Sequence, residues 1–401
     1  MSDEFTEKHV PDEIIVKFKD AEPGQEERLN KIISRVQKIG FTEELGVYIV
    51  KIENLERDPD VVMNRLRNNP LVEYVEPNYY MDFTLIPNDK YYSIYQANSL
   101  SFINATEGWD INTGEGLPPV TVAIVDSGVA EHPDLPKVNK GFSASSDHYT
   151  KDDVGHGTCV AGVLAAVGNN GTGIAGINWN VDLMPIKVDD ASGRSPVGNV
   201  AKGILWAADN GARVINLSIG STIDSITFKN SIDYAYNKGC VLVAATGNAG
   251  QEVVSYPAKY DNVIGVGATI DGQNRSSTSN FGNGLDVLAV GTMYTTSSSG
   301  GHTFMSGTSF ATPQVAGLAS LMLSLNPTLT NDEIMNLIRQ YARRDDGYNT
   351  HTGYGIIDMG MTLKAITPLP RPTSITNPTL DENWLVQFMR IIFNAISRMF
   401  K

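Results

Sequence analysis

The sequence predicts an α/β protein in which a mostly parallel central sheet lies between helix layers, accompanied by a small α+β unit at the N-terminal end. Three observations carry this expectation. The chain has 401 residues, more than one ordinary core accommodates and suited to two folded units with extensions. Between about residues 85 and 366, the apolar runs Val120–Val125, Val181–Val188, Arg213–Ile219, Cys240–Ala245 and Val263–Ala268 alternate with helical segments. Runs of this kind are strands buried on both faces, as in a parallel sheet covered by helices. Residues 12–83 show a different pattern, with short strands and helices alternating over a brief stretch.

In that first unit, Glu13 to Phe18 alternates like a half-buried strand. Leu29, Ile32, Ile33, Val36 and Ile39 recur at helical spacing and predict a helix. Val47 to Ile52 predicts a second strand. Val61, Val62, Met63 and Leu66 predict another helix, broken at Asn68-Asn69-Pro70, and Val72 to Val75 a last strand. The expected product is a sheet with helices on one face and a thin core, in need of a partner surface. At the other end, residues 367–383 form a Pro- and Thr-rich, semi-extended linker. Asp381 is then expected to cap a helix running to Phe400. Leu385, Phe388, Met389, Ile392, Ile396 and Met399 line its apolar face, which suits docking onto the protein body, a partner or a membrane surface.

Composition narrows the function. Hydrophobic residues make up 41% and charged residues 19%, a globular balance. The net charge of −14 and pI of 4.9 disfavour nucleic acid and tolerate bound cations. Two cysteines, Cys159 and Cys240, do not make a disulfide framework. The opening, MSDEFTEKHVPDEIIVKF, lacks a basic stretch followed by an apolar run. A cytoplasmic location is therefore expected, with export after removal of a leader as the alternative. No stretch reaches the ~18 apolar residues that span a bilayer.

Three segments carry chemistry. VAIVDSG places Asp126 directly after a buried strand. GHGTCVAG places His156 among glycines before a small-residue run that reads as helix. SGTSFATPQVAG places Ser309 where a glycine turn opens into a helix. A serine hydroxyl is a poor nucleophile until a base takes its proton. An imidazole does so near neutral pH when a carboxylate holds its other nitrogen protonated. Taken singly, the aspartate suits a helix cap, the histidine a structural role and the serine an N-cap. The order Asp, His, Ser, each in a glycine-framed context, points instead to a triad of the subtilisin arrangement.

Asp126-Ser127-Gly128, Gly155-His156-Gly157-Thr158 and Gly307-Thr308-Ser309-Phe310-Ala311-Thr312-Pro313 resemble the three signature blocks of the subtilase family of serine proteases. The stretch from Asn169 to Gly176, NNGTGIAG, is similar to the calcium loop of thermitase-like members. The resemblance covers about residues 85–366, and residues 12–84 resemble the family's inhibitory propeptide. It implies a subtilisin-like three-layer α/β fold and a ferredoxin-like α+β pro-domain. It implies a serine endopeptidase working through an acyl-enzyme, with the propeptide as its own inhibitor and folding template. Ala244 to Asn248 (AATGN) resembles the segment whose asparagine donates to the oxyanion, a contact worth ~3–4 kcal/mol. By the same resemblance, Gly193-Arg194-Ser195 and Ser218-Ile219-Gly220 flank an extended peptide as added strands. Ala245, Gly247 and Ser255 line the primary pocket, whose small uncharged walls suit apolar side chains. Pro196 and Val197 lie further upstream along the peptide. Ca2+ is the implied ion, held by Asp134, Asn170 and the carbonyls of Thr172 and Ile174, an oxygen set that a hard cation requires. Asp286, with carbonyls near Ala258, Tyr260 and Val263, is the candidate for a weaker cation site.

Several residues depart from the commoner family pattern. Cys159 stands where a histidine is usual, either as a thiol near the imidazole, sensitive to mercurials, or as a small buried residue. Phe310 replaces an oxidisable methionine, and Gln314 replaces a histidine. Val72 to Asn78 resembles the end of a propeptide and Ile86 to Asp89 a mature start, so self-cleavage is expected within residues 82–86, near Thr84 and Leu85. The rival readings are a non-catalytic binding protein on the same fold and a nucleotide-dependent α/β enzyme. The second is opposed by the loop from Gly168 to Gly173, which is not GxGxxG and carries no P-loop lysine.

Overall fold

The computed structural model describes residues 9–19, 37–42, 47–51, 59–79, 85–145, 147–343 and 347–367. The chain divides into two compact units, Met1–Phe83 and Thr84–Lys401. The predicted helix over residues 29–36 and the C-terminal linker and helix lie outside the described residues, as does Thr84.

In the first unit, β1 (His9–Phe18), β2 (Gln37–Thr42), β3 (Val47–Lys51), α1 (Pro59–Arg67) and β4 (Val72–Tyr79) form a four-stranded sheet, in the order β2-β3-β1-β4, with one described helix. All its pairings are antiparallel. Ile14 and Val16 point to one side of β1 and bury against Val50, Val72, Val75 and Met63 of α1. Phe18 meets Tyr48 edge to face at 5.5 Å. Ile39 corrects the sequence reading: it belongs to a strand, not to the end of a helix, because β2 pairs with β3 from Gln37 onward. An apolar spacing of three and four residues did not register that pairing.

In the second unit, a π-helical turn (Tyr92–Gln96) leads into α2 (Ala97–Ser101) and α3 (Ala105–Ile111). Then follow β5 (Val120–Asp126), β6 (Phe142–Ser143), α4 (His156–Ala165), β7 (Val181–Lys187), α5 (Val197–Asp209), β8 (Val214–Leu217), α6 (Ile226–Asn237), β9 (Val241–Ala245), β10 (Ile264–Thr269) and β11 (Val287–Val290). A hairpin of β12 (Thr292–Thr296) and β13 (His302–Ser306) precedes α7 (Thr308–Leu325), α8 (Asn331–Gln340) and α9 (Met359–Ile366). Seven strands form one sheet in the order β11-β10-β9-β8-β5-β7-β6, and every pairing is parallel. The Val, Ile, Leu and Ala side chains of β8, β9, β10 and β11 are buried along their full length. Helices α4 and α7 pack on each other and on the sheet, while α5 and α6 pair and cover β7, β5 and β9. This is the three-layer architecture that the uninterrupted apolar runs require. No described helix is long and apolar enough to cross a membrane.

The topology fixes where chemistry can occur. In a parallel sheet, the carboxyl ends of the strands face one edge and the following helices begin there. Asp126 closes β5, His156 opens α4 and Ser309 is the second residue of α7.

Candidate active site

Asp126 is 2% exposed, and its carboxylate faces the His156 ring. His156 Nδ1 lies 2.9 Å from Oδ1 and 3.0 Å from Oδ2. The close approach depends on Gly157: a Cβ there would stand 2.0 Å from the Gly128 carbonyl oxygen and 3.1 Å from Asp126 Cβ. The nearby Asp126 charge raises the His156 pKa above its ordinary 6.5, against an opposing effect of burial.

Ser309 stands in the first turn of a helix that is buried along most of its length. Its Oγ donates to the Ser218 carbonyl at 3.2 Å. Among the described residues, no hydrogen bond joins Ser309 to His156. Such bonds are often long or misaligned before substrate is bound. The two segments are neighbours, for the ring of Phe310 stands 5.5 Å from that of His156. The sequence itself explains the contact with Ser218. Pro313 has no N–H, so the Ser309 carbonyl loses its helical partner four residues on. Ser218 Oγ fills that vacancy, donating to Ser309 O at 2.8 Å, and Asn216 Nδ2 supports Ser218 Oγ at 3.0 Å. The end of β8 is thereby tied to the turn that presents Ser309.

Asn248 follows β9 and is exposed. Its Oδ1 accepts from the Thr308 N–H at 2.8 Å and from Thr308 Oγ1 at 3.0 Å. With the oxygen so engaged, the amide is oriented and its Nδ2 hydrogens are the donors left for another group. Gly307, at φ 140°, sits 3.2 Å from Asn248 Nδ2 by the position a Cβ would take, in a backbone conformation that favours glycine.

The proposed peptide-binding segments also converge. Arg194, Ser195, Val197, Ile219, Gly220 and Phe228 line one cleft of about 280 Å3. Gly193 turns the first of these segments, and the Arg194 N–H rests on Asp190. A Cβ on Gly247 would meet Ser255 Oγ at 2.8 Å, and one on Gly220 would meet Ser255 Cβ at 3.1 Å and the Ala245 carbonyl at 3.8 Å. Gly220, Ala245, Gly247 and Ser255 therefore lie close together.

The departures settle into packing roles. Cys159 is buried, and burial first, then Asp152 and Asp126, push its thiol up to about 12. Its burial fits the role of a small core residue. Phe310 is 2% exposed. Gln314 is fully buried and exchanges bonds with Val290, accepting from its N–H at 3.2 Å and donating to its carbonyl at 2.6 Å. Its Nε2 also reaches the Phe310 carbonyl at 2.7 Å.

The candidate calcium loop gathers more than the sequence reading identified. Asp134 is buried; its Oδ2 accepts from the Ile174 N–H at 2.8 Å and faces His302 Nε2 at 3.0 Å. Its Oδ1 is buried with no hydrogen-bond partner. Gly173 crosses so near that a Cβ would stand 2.0 Å from Asp134 Oδ2. A second buried carboxylate, Asp89, accepts from the Asn169 N–H at 2.6 Å. Burial raises its pKa, and the charge of Asp134 adds to the effect. Two buried carboxylates and an orphaned oxygen fit a hard cation better than they fit an empty space. Among the described residues, no group of three or more His, Cys, Asp or Glu side chains gathers as a metal site. The remaining ligands would be neutral oxygens. Asn170 Oδ1 faces the Thr172 N–H and hydroxyl, each at 2.8 Å. Asp89 was missed because it lies some eighty residues upstream of the loop and reads as part of an extended segment.

Asp286 lines one cavity with Ala258, Tyr260 and Val263, the residues named for the weaker cation site. Its Oδ1 is paired with Arg339, 2.9 Å from Nη2, and its Oδ2 accepts from the Gly265 N–H at 2.8 Å. The Arg339 guanidinium thus places a positive charge against this carboxylate.

A carboxylate, an imidazole and a helix-borne hydroxyl at the carboxyl ends of a parallel sheet are the groups that a serine hydrolase uses. Comparison with known proteins narrows it. The Subtilase family profile (Peptidase_S8) matches residues 119–355, and the Fervidolysin N-terminal prodomain profile matches residues 1–78. The Thermophilic serine proteinase of Bacillus sp. (strain AK1) is 38% identical over 358 residues, 87% of this chain and 86% of that protein. Thermitase of Thermoactinomyces vulgaris is 41% identical over 276 residues, 68% of this chain and 97% of that protein. A solved protease structure from Pseudoalteromonas arctica PAMC 21717 superposes with a TM-score of 0.61 at 29% identity, covering 70% of this chain and 99% of that one. The chain belongs to the subtilase family and is a serine endopeptidase with an N-terminal prodomain.

Proposed function

We propose that this endopeptidase cleaves peptide bonds by attack of Ser309 Oγ on the scissile carbonyl, with His156 as general base and Asp126 as the group that orients it. The contact of His156 Nδ1 with both oxygens of a buried carboxylate carries the reading. It holds Nδ1 protonated and leaves Nε2 unprotonated to accept the serine proton. A rotation about the Ser309 Cα–Cβ bond moves Oγ from the Ser218 carbonyl toward the imidazole. The negative charge that develops on the substrate oxygen meets Asn248 Nδ2 and the Ser309 N–H. His156 then returns the proton to the leaving amine, and water repeats the sequence on the acyl-enzyme. Substrate lies as an added strand between residues 193–195 and 218–220, with apolar side chains before the cut in the space bounded by Ala245, Gly247 and Ser255. The N-terminal unit serves as intramolecular inhibitor, and the first cut falls near Thr84 and Leu85. A fluorophosphonate probe tests the assignment: after removal of the N-terminal unit it should label Ser309, and absence of labelling would sink the proposal in favour of a non-catalytic binding protein.

Asp89, Asp134, Asn170 and the carbonyls of Thr172 and Ile174 would hold Ca2+. Bound there, the ion supplies charge balance that tethers the residue 85–89 segment to the loop. Chelation should lower Tm by roughly 5–10 °C, as expected for the loss of an ion present at about a hundred times its Kd. Asp134→Asn should abolish that response to chelator. A melting temperature indifferent to chelator in the parent protein would count against the site.

Phe310 has no oxidisable sulfur beside the His156 ring. Phe310→Met should therefore shorten the half-life of activity in hydrogen peroxide several-fold, because the sulfoxide is polar and chiral in an apolar setting. Equal half-lives for the two proteins would contradict this role.

A further inference from the structure

We propose that Asp152 is a positioning residue for hydrolysis, a buried carboxylate that clamps the segment carrying His156 to the strand end carrying Asp126. The inference rests on the reading of His156 as base and deepens it.

Asp152 lies four residues before His156 and is 7% exposed. Its Oδ1 accepts from Ser127 Oγ at 2.7 Å and from the Gly155 N–H at 2.8 Å. Its Oδ2 accepts from the Thr158 N–H at 2.8 Å and from Thr158 Oγ1 at 2.6 Å. Four donors satisfy the carboxylate, as a buried charge requires. Three of them belong to the residues on either side of His156. The fourth belongs to Ser127, the neighbour of Asp126.

Ser127 completes the link. Its single hydroxyl proton goes to Asp152, the nearer acceptor, since Asp126 Oδ1 is 3.2 Å away. Its backbone N–H donates to Asp126 Oδ1 at 2.8 Å, and its Oγ accepts from the Gly157 N–H at 3.0 Å. An ordinary helix cap satisfies one or two N–H groups of its own helix. Asp152 does this and also grips the opposite strand end, so it sets the distance between the two groups that meet at His156 Nδ1. A displacement of about 1 Å in such a pair costs on the order of 100-fold in rate.

The charges around the ring are few. Asp126 faces it from β5 and Asp152 from the preceding loop, and both favour the protonated imidazole. Cys159, on the same helix, is held neutral by burial. Helix α7 presents Ser309 and Phe310. At the end of β7, Lys187 pairs with Asp189 at 2.6 Å and donates to the Ser127 carbonyl at 2.8 Å, so its charge is balanced locally.

The test uses the purified full chain once its activity has reached a plateau, with rates expressed per titrated active site. Asp152→Asn should lower kcat about 10- to 100-fold with KM within about twofold. The acid limb of its kcat/KM profile should move to lower pH, because loss of a negative charge lowers the pKa of the base. Asp152→Glu should bring the acid limb back while kcat stays low, since charge returns without the geometry. Ser127→Ala keeps the Asp152 charge and its bonds to Gly155 and Thr158; it should lower kcat about 3- to 10-fold and leave the acid limb in place. If Asp152→Asn does not fold, the Ser127→Ala rate decides: an unchanged kcat overturns the proposal. A fall in Tm alone, with kcat and acid limb unaltered in every variant, also overturns it. Hydrolysis that survives Ser309→Ala would instead overturn the underlying reading of the site.

Discussion

Replacing Ser309 by alanine should lower turnover about a million-fold, the magnitude set by subtilisin itself for removal of the corresponding serine. The loss follows from the proposed chemistry: Ser309 Oγ is the attacking atom, and the neighbouring Thr308 hydroxyl is committed to Asn248 Oδ1. KM for a chromogenic peptide should change little, because the main chain of residues 193–195 and 218–220 does not depend on Ser309 Oγ. The folded state should survive, since the helix is held by Ser218 Oγ on the Ser309 carbonyl, a backbone contact that alanine keeps. The same variant reports on maturation. Mass spectrometry should find the wild-type chain cut within residues 82–86 and the Ser309→Ala chain intact. Cleavage of the alanine chain at the same place, with no protease added, would show that the cut is made by another enzyme.

Asn248→Ala should lower kcat about 100- to 1000-fold with KM nearly unchanged, the range known for the corresponding amide in subtilisin. The effect belongs to the transition state, because the amide meets the substrate oxygen only as that oxygen becomes negative. Thr308 gives a way to separate orientation from donation. Its N–H and hydroxyl both hold Asn248 Oδ1. Thr308→Val removes one of those two bonds and should cost less, roughly 3- to 10-fold in kcat, by loosening the amide rather than deleting it. Steady-state kinetics on one substrate distinguish the cases. A loss in KM instead of kcat for Asn248→Ala would show that the residue binds ground-state peptide and not the oxyanion.

Much of the candidate site was legible in the sequence alone. Asp126, His156, Ser309 and Asn248 each sit in short glycine-framed segments, and the fold brings those segments to one edge of one sheet. Strand ends in a parallel sheet all face the same way, so residues just after buried apolar runs are bound to meet. The antiparallel hairpin β12–β13 was less legible, because the runs Thr292–Thr296 and His302–Ser306 are short and mixed in polarity. Ile39 was assigned to a helix because apolar spacing cannot report which strand a segment pairs with.

The sequence by itself determined the class of fold and supplied the proposed reacting groups and their order, since these depend on residue type and on local pattern. Only the tertiary structure decided the partners of single buried charges. Asp89 came under the charge of Asp134, 45 residues further along the chain, and accepts from the Asn169 N–H some eighty residues downstream. Asp286 found Arg339. Asp152 found Ser127, and the carbonyl released by Pro313 found Ser218. The physical reason is the same in each case. A buried charge or an unpaired carbonyl must be satisfied, but nothing local specifies by which group, and the answer is settled by what the packed chain brings within about 3 Å.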